Sequence, residues 1–272
     1  MTQKKLSNIA IHTITNRPWT TEQCIDEYSK AGIGGITFWR YSFEDRDPKK
    51  VGDQARESGL NVVSVARGGF FAAESKEDRK KAIDDNKRAI NETHSVGAPS
   101  LVLVCGSNKH QSLNTSRNQI QDGIAECLDH AKDAGVILAI EPLHPMYASE
   151  RSAVNSMAQA NAICENLENH PNVGIALDVY HTWWDDRLKE EIARSFNNGN
   201  LSSYHICDWL SPMEDMLNDR GLMGEGSIDV DQISEWVIES GFTGFHEVEI
   251  FSERWWKTDQ HDYLKKIISY FD

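Results

Sequence analysis

Four short apolar runs in this chain end on side chains that bind divalent metals. Ala139-Ile-Glu ends on Glu141, Ala176-Leu-Asp on Asp178, Ser203-Tyr-His on His205, and Gly244-Phe-His-Glu-Val-Glu on Glu249. A buried parallel strand reads as a continuous apolar run. A carboxylate closing such a run is costly unless it is paired or coordinated. An ion pair explains any one of these positions as readily as a metal does. The recurrence of all four at successive run ends is what carries the metal reading. An oxygen-rich set with one imidazole suits Mn²⁺ first, then Mg²⁺ or Co²⁺, and accommodates Zn²⁺. Glu247 shares a strand face with Glu249. Glu249 is nearer the strand's C-terminal end and is the expected ligand, with Glu247 deeper and hydrogen-bonded inside.

The elements that position these residues follow from punctuation. Apolar runs alternate with helix-period stretches, and Gly32, Gly59, Gly97, Gly135 and Gly241 close successive helices as left-handed caps. Strands are expected at 8–12, 35–39, 61–65, 101–104, 136–141, 173–178, 204–206 and 244–249. Helix starts are marked by Thr20/Thr21, by Asp47-Pro48 and by Ser75-Lys-Glu-Asp. The Gly-rich loop 208–228 reads as a binding loop. Eight βα units predict an α/β fold, a single-domain (β/α)8 TIM barrel over residues 1–272, with its active site at the C-terminal mouth. An open doubly wound sheet is the rival, but no Gly-rich phosphate turn follows the first strand.

The 272 residues carry a formal net charge of −14. That balance argues against nucleic acid and anionic membranes as partners. The basic N-terminus, Met1-Thr-Gln-Lys-Lys, lacks an apolar stretch for a signal peptide. Five scattered cysteines without a C-x-x-C pair fit a reduced, cytoplasmic protein. Homo-oligomerisation is left open.

The motifs Ile140-Glu-Pro, Leu177-Asp-Val-Tyr-His, Tyr204-His-Ile-Cys-Asp, Gly224-Glu-Gly-Ser-Ile-Asp and Val248-Glu-Ile-Phe resemble the xylose-isomerase-like barrels. That superfamily includes ketose 3-epimerases, inosose isomerases and dehydratases, and endonuclease IV. The resemblance spans the chain. It implies Glu141, Asp178, His205 and Glu249 as ligands of one divalent ion and favours Glu249 over Glu247. It also implies that His181 and Arg220 touch substrate. His144 departs from the epimerase pattern and is a candidate substrate contact. His12, Trp39 and Arg67 end the first three strands and are candidates to shape a sugar pocket, with packing as the alternative. Trp183, Trp184, Trp255 and Trp256 flank the mouth loops, for packing or sugar stacking.

The implied chemistry is isomerisation or epimerisation of a sugar or cyclitol. Glu141 and Glu249 exchange a proton beside a carbonyl through an enediolate. A dehydratase or lyase acting on a keto-sugar is the nearest rival. An endonuclease IV-like phosphodiesterase lacks its further histidines here, since no second His follows His205 two residues on. A non-catalytic sugar binder would leave four ligand types without a task. Neutral sugars are favoured over sugar phosphates, because no Gly-rich cradle follows the last two strands; Arg67 and Arg220 are the groups that would hold a phosphate.

Overall fold

A computed structural model describes residues 5–272. The reading of the first four residues as lacking a signal peptide lies outside them. The strands are β1 (Ile9–His12), β2 (Gly35–Trp39), β3 (Asn61–Gly69), β4 (Ser100–Val104), β5 (Ile137–Glu141), β6 (Val173–Asp178) and β7 (Leu201–Ile206), then β8 (Asp208–Trp209), β9 (Arg220–Gly221) and β10 (His246–Val248). All but β8 and β9 close one barrel in the order β1-β10-β7-β6-β5-β4-β3-β2. Every pair in it is parallel. The intervening helices surround it, so the fold is a (β/α)8 barrel. Among the described residues, no helix is long and apolar enough to cross a membrane.

Alternation along the strands sorts side chains into two environments. Ile9, Ile11, Ile36, Phe38, Leu101, Leu103, Leu138, Ile140, Leu177 and Val248 belong to the large core shared with the helices. The residues between them are small or polar. Ala66, Val102, Ala139 and Ala176 form a separate small cluster inside the barrel, with Trp39 packed on it. His12, Thr37, Ser64, His205 and Glu247 are buried polar residues of the same set. Bulky apolar side chains thus bind the sheet to its helices, and small ones leave room inside for polar groups.

Helix starts follow the expected signals. Thr20 accepts from the Gln23 amide in a reciprocal capping box, and Asp47 precedes Pro48 at the first helical turn. Three expectations shift. β3 runs past Val65 to Gly69, because a register shift between Ala66 and Gly68 lets it keep pairing with β4. Glu249 lies one residue beyond β10 rather than within the last strand. A helical turn at Val179–Thr182, capped by Asp178 through the Tyr180 amide, follows β6 where the sequence suggested only loop.

Candidate active site

Strand register gathers the four expected ligands. Asp178 lies opposite His205 across β6 and β7, and His205 lies opposite Glu247 across β7 and β10. Glu141 ends β5, and Glu249 follows β10. One ligand atom from each of Glu141, Asp178, His205 and Glu249 falls within 4.8 Å of the others, and all four residues are buried. The His205 imidazole Nδ1 lies 3.2 Å from Glu141 Oε1.

Arg220 completes the cluster. From β9 it donates Nη1 to Asp178 Oδ2 at 3.0 Å and to Glu249 Oε2 at 2.9 Å. Its guanidinium lies between the rings of Tyr180, at 4.4 Å, and Phe251, at 4.9 Å. Only 3 % of Arg220 is exposed, so it is an interior cation rather than a solvated surface side chain. His181 Nε2 lies 3.3 Å from Arg220 Nη2 and 3.6 Å from Asp178 Oδ2. Burial and the neighbouring Arg220 charge keep His181 neutral, well below its usual range.

Beneath this cluster sits a second polar layer. Glu247 Oε2 accepts from Thr37 Oγ1 at 2.6 Å and Ser64 Oγ at 2.9 Å, and lies 3.2 Å from His12 Nε2. Glu247 Oε1 faces His205 Nε2 at 3.9 Å. His12 Nδ1 lies 2.9 Å from Glu249 Oε1, though not aligned as a hydrogen bond. Burial opposes charge on His205, but the surrounding carboxylates of Glu247, Glu141 and Glu249 outweigh it and push the imidazole up to about 10. Burial likewise raises Asp178, to about 6, against the pull of Arg220. For Glu247 burial is overcome by His205 and His12, which hold it at about 2. Glu249 is held below the usual carboxylate range by His12 and Arg220 despite its burial.

The loop 208–228 contains the β8–β9 ribbon that carries Arg220. Asp208 explains its fixed shape. The Asp208 carboxylate accepts from the amides of Trp209, Gly224, Gly226 and Ile228 at 2.8 to 2.9 Å. At Gly226 a Cβ would lie 2.1 Å from the Trp209 carbonyl oxygen, so only glycine fits. The Tyr147 hydroxyl donates to the Met216 carbonyl and ties the loop after β5 to this ribbon.

Glu141, Glu249, His181, Arg220 and Trp39 line one cavity at the mouth, together with Tyr147, Arg151, Leu217 and Phe251. His144 is half-buried off this wall, against Trp209 and Trp184. His12 also lies off it, buried between Glu247 and Glu249. Arg67 is half-buried with its guanidinium 4.3 Å from the Phe70 ring centre. Trp255 stacks on Tyr263 in the core, and Trp256 donates its indole N–H to the Ile14 and Thr15 carbonyls. Trp183 packs on Trp209, while Trp184 stays 41 % exposed. The sequence reading did not single out Tyr147, Arg151 or the Asp208 clasp. Their signal was faint, since the segments after β5 and β7 that carry them show no periodicity.

The donor chemistry fits a divalent cation. Three carboxylates and an imidazole converge, and the one guanidinium among them leaves negative charge uncompensated. A proton on His205 Nε2, facing Glu247, leaves the Nδ1 lone pair for an ion.

The family model described as xylose isomerase-like TIM barrel matches residues 25–271. An L-ribulose-5-phosphate 3-epimerase, UlaE, of Salmonella typhi is 25% identical over 237 residues, covering 80% of this chain and 79% of that protein. The solved structure of protein SMc04130 from Sinorhizobium meliloti superposes with a TM-score of 0.93 at 42% identity, over 97% of both chains. The IOLI protein, solved with a zinc atom, gives a TM-score of 0.83 at 19% identity, over 96% of this chain and 95% of that one.

Proposed function

Because the chain belongs to the xylose isomerase-like TIM barrel family, we propose that it is a divalent-metal-dependent isomerase or epimerase of a sugar or cyclitol. The observation that carries this is the convergence of Glu141, Asp178, His205 and Glu249 within 4.8 Å at the barrel mouth. The sugar epimerase among its relatives supports the substrate class. The whole chain acts as one domain, and its five buried free thiols suit a reduced cytoplasmic setting.

Glu141, Asp178, His205 and Glu249 would hold the ion, with manganese the first choice. Bound there, a divalent ion would supply Lewis-acid charge beside the substrate carbonyl. One of Glu141 and Glu249 takes the proton beside the carbonyl, and the other returns a proton on the opposite face. Asp178 and His205 act mainly as fixed ligands. Arg220 and His181 stand on the cavity wall to orient hydroxyl groups, Trp39 closes one side, and His12 steadies Glu249 from below. Arg67 and His144 contact the outer part of the substrate. Phe251, Trp39 and Tyr147 exclude water from the reacting carbon.

The test is metal analysis of the purified protein, followed by NMR in D₂O against ketoses, inososes and 3-keto-glycosides. Deuterium is expected at a carbon next to the carbonyl. Glu141→Gln and Glu249→Gln should each abolish that exchange, and full exchange in both variants refutes the assignment.

A further inference from the structure

Arginines in this acidic chain mostly hold carboxylates. Arg40 pairs with Asp85 and Glu92, Arg46 with Glu22, and Arg194 with Glu165 and Glu191. Arg220 is taken by Asp178 and Glu249. Among the described residues, the Arg67 and Arg151 side chains have no ion pair and no hydrogen bond. Each only lies against a ring, Arg67 at 4.3 Å from Phe70 and Arg151 at 5.8 Å from Tyr147. Neither is at the open surface, since both are of intermediate burial.

Both belong to the mouth. Arg151 lines the cavity beside Glu141 and Arg220. Arg67 falls at the register shift between Ala66 and Gly68, so it is the extra, unpaired residue of β3 next to β4. Bulges beside active sites redirect a side chain. The two are close neighbours: Arg67 lies over Phe70, Gly106 packs against the Phe70 backbone, and the Gly106 amide donates to the Arg151 carbonyl oxygen at 2.9 Å. Burial, and then the Arg151 charge, bring Arg67 down to about 10, which still leaves it cationic at neutral pH. The carboxylate of Glu141 acts on Arg67 as well, but it is already engaged by His205. Two like charges, partly desolvated and without an ion-pair partner of their own, are unfavourable in isolation. An anion within reach of both would remove that cost.

We infer that the substrate carries an anionic group, a phosphate ester or a carboxylate, away from its reacting carbonyl, and that Arg67 and Arg151 hold it. This rests on the proposed isomerase reading for the carbonyl end alone. A planar guanidinium fork matches either anion without a glycine cradle. The missing cradle, which favoured neutral sugars on sequence grounds, is therefore no argument against a charged substrate. Arg220, the other arginine considered for a phosphate, is already occupied inside the ligand cluster.

The experiment compares three substrates on the metal-loaded enzyme: a free ketopentose, its terminal phosphate ester, and a ketose ending in a carboxylate. Solvent deuterium incorporation gives kcat/KM for each. One of the anionic substrates should exceed the free ketose at least about tenfold, and which one identifies the anion. Arg67→Met and Arg151→Met should each lower that anionic-to-neutral ratio about ten- to a hundredfold. Arg67→Lys and Arg151→Lys should lose less, because charge is kept and only the fork is lost. No anionic preference, or equal losses on all three substrates, overturns the proposal. If no substrate turns over, the isomerase reading fails separately. Inorganic phosphate added to the metal-free protein then decides, by ³¹P NMR: binding weakened in both Met variants supports the anion site, and no binding to the parent overturns it.

Discussion

Replacing Glu247 by Gln tests whether this buried carboxylate orients the proposed metal site without belonging to it. Glu247 is 1 % exposed and its Oε2 accepts from Thr37, Ser64 and His12. Its other oxygen faces His205 Nε2 at 3.9 Å. From that distance its charge favours the tautomer that carries the proton on Nε2 and leaves Nδ1 free for an ion. Carboxylates behind metal-bound histidines typically contribute about ten- to a hundredfold in affinity, or roughly 1.4 to 2.7 kcal/mol. Glutamine keeps the shape, and its amide oxygen still accepts from the Thr37 and Ser64 hydroxyls, so the barrel should remain folded. The change removes the charge that His12 and His205 both lean on. Calorimetric titration with Mn²⁺, beside a thermal melt in chelator, should show a loss of about ten- to a hundredfold. Affinity within about twofold of the parent would refute the orienting role. A loss beyond about a thousandfold would refute it in the other direction, since His12, His205 and Glu247 also converge as a group within 4.8 Å and Glu247 would then be a ligand itself.

Asp208→Ala removes the acceptor of four backbone amides in the loop that carries Arg220. A stability loss of roughly 2 to 4 kcal/mol is expected in urea unfolding, together with a fall in catalysed exchange; an unchanged midpoint would show that the loop holds without its clasp. Asp178→Asn deprives Arg220 of one partner and the proposed ion of one ligand, so Mn²⁺ binding measured by calorimetry should fall by more than about tenfold. The cysteines are buried and free, and burial raises Cys24 to about 12 and Cys127 to about 11. Their thiols should therefore stay protonated and unlabelled by iodoacetamide from pH 7 to 9. Rising labelling of the native protein in that range would contradict the packing.

The barrel was legible because its determinants are local. Gly97, Gly135 and Gly241 adopt left-handed conformations after their helices, and such caps are written in residue type. The alternation of bulky and small residues along each strand likewise marks which side meets the helices. Glu141, Asp178 and His205 could be placed at strand ends for the same reason. Glu249 was separable from Glu247 because strand geometry gives residues two apart different depths, and the Glu-x-Phe resemblance pointed the same way.

What local pattern left undecided is where loop residues arrive. Arg220 lies 42 positions from Asp178 along the chain, yet donates to it, because the β8–β9 ribbon folds back over the mouth. His12 and Glu247 are separated by 235 positions and meet because β1 and β10 close the barrel. The sequence by itself determined the repeating unit and the residue types that gather near the strand ends, since these depend on neighbours a few residues apart. Only the tertiary structure decided which charges are paired and which, like those of Arg67 and Arg151, are left near the mouth without an ion pair. Pairing at such separations depends on barrel closure and register, and no short-range pattern encodes them.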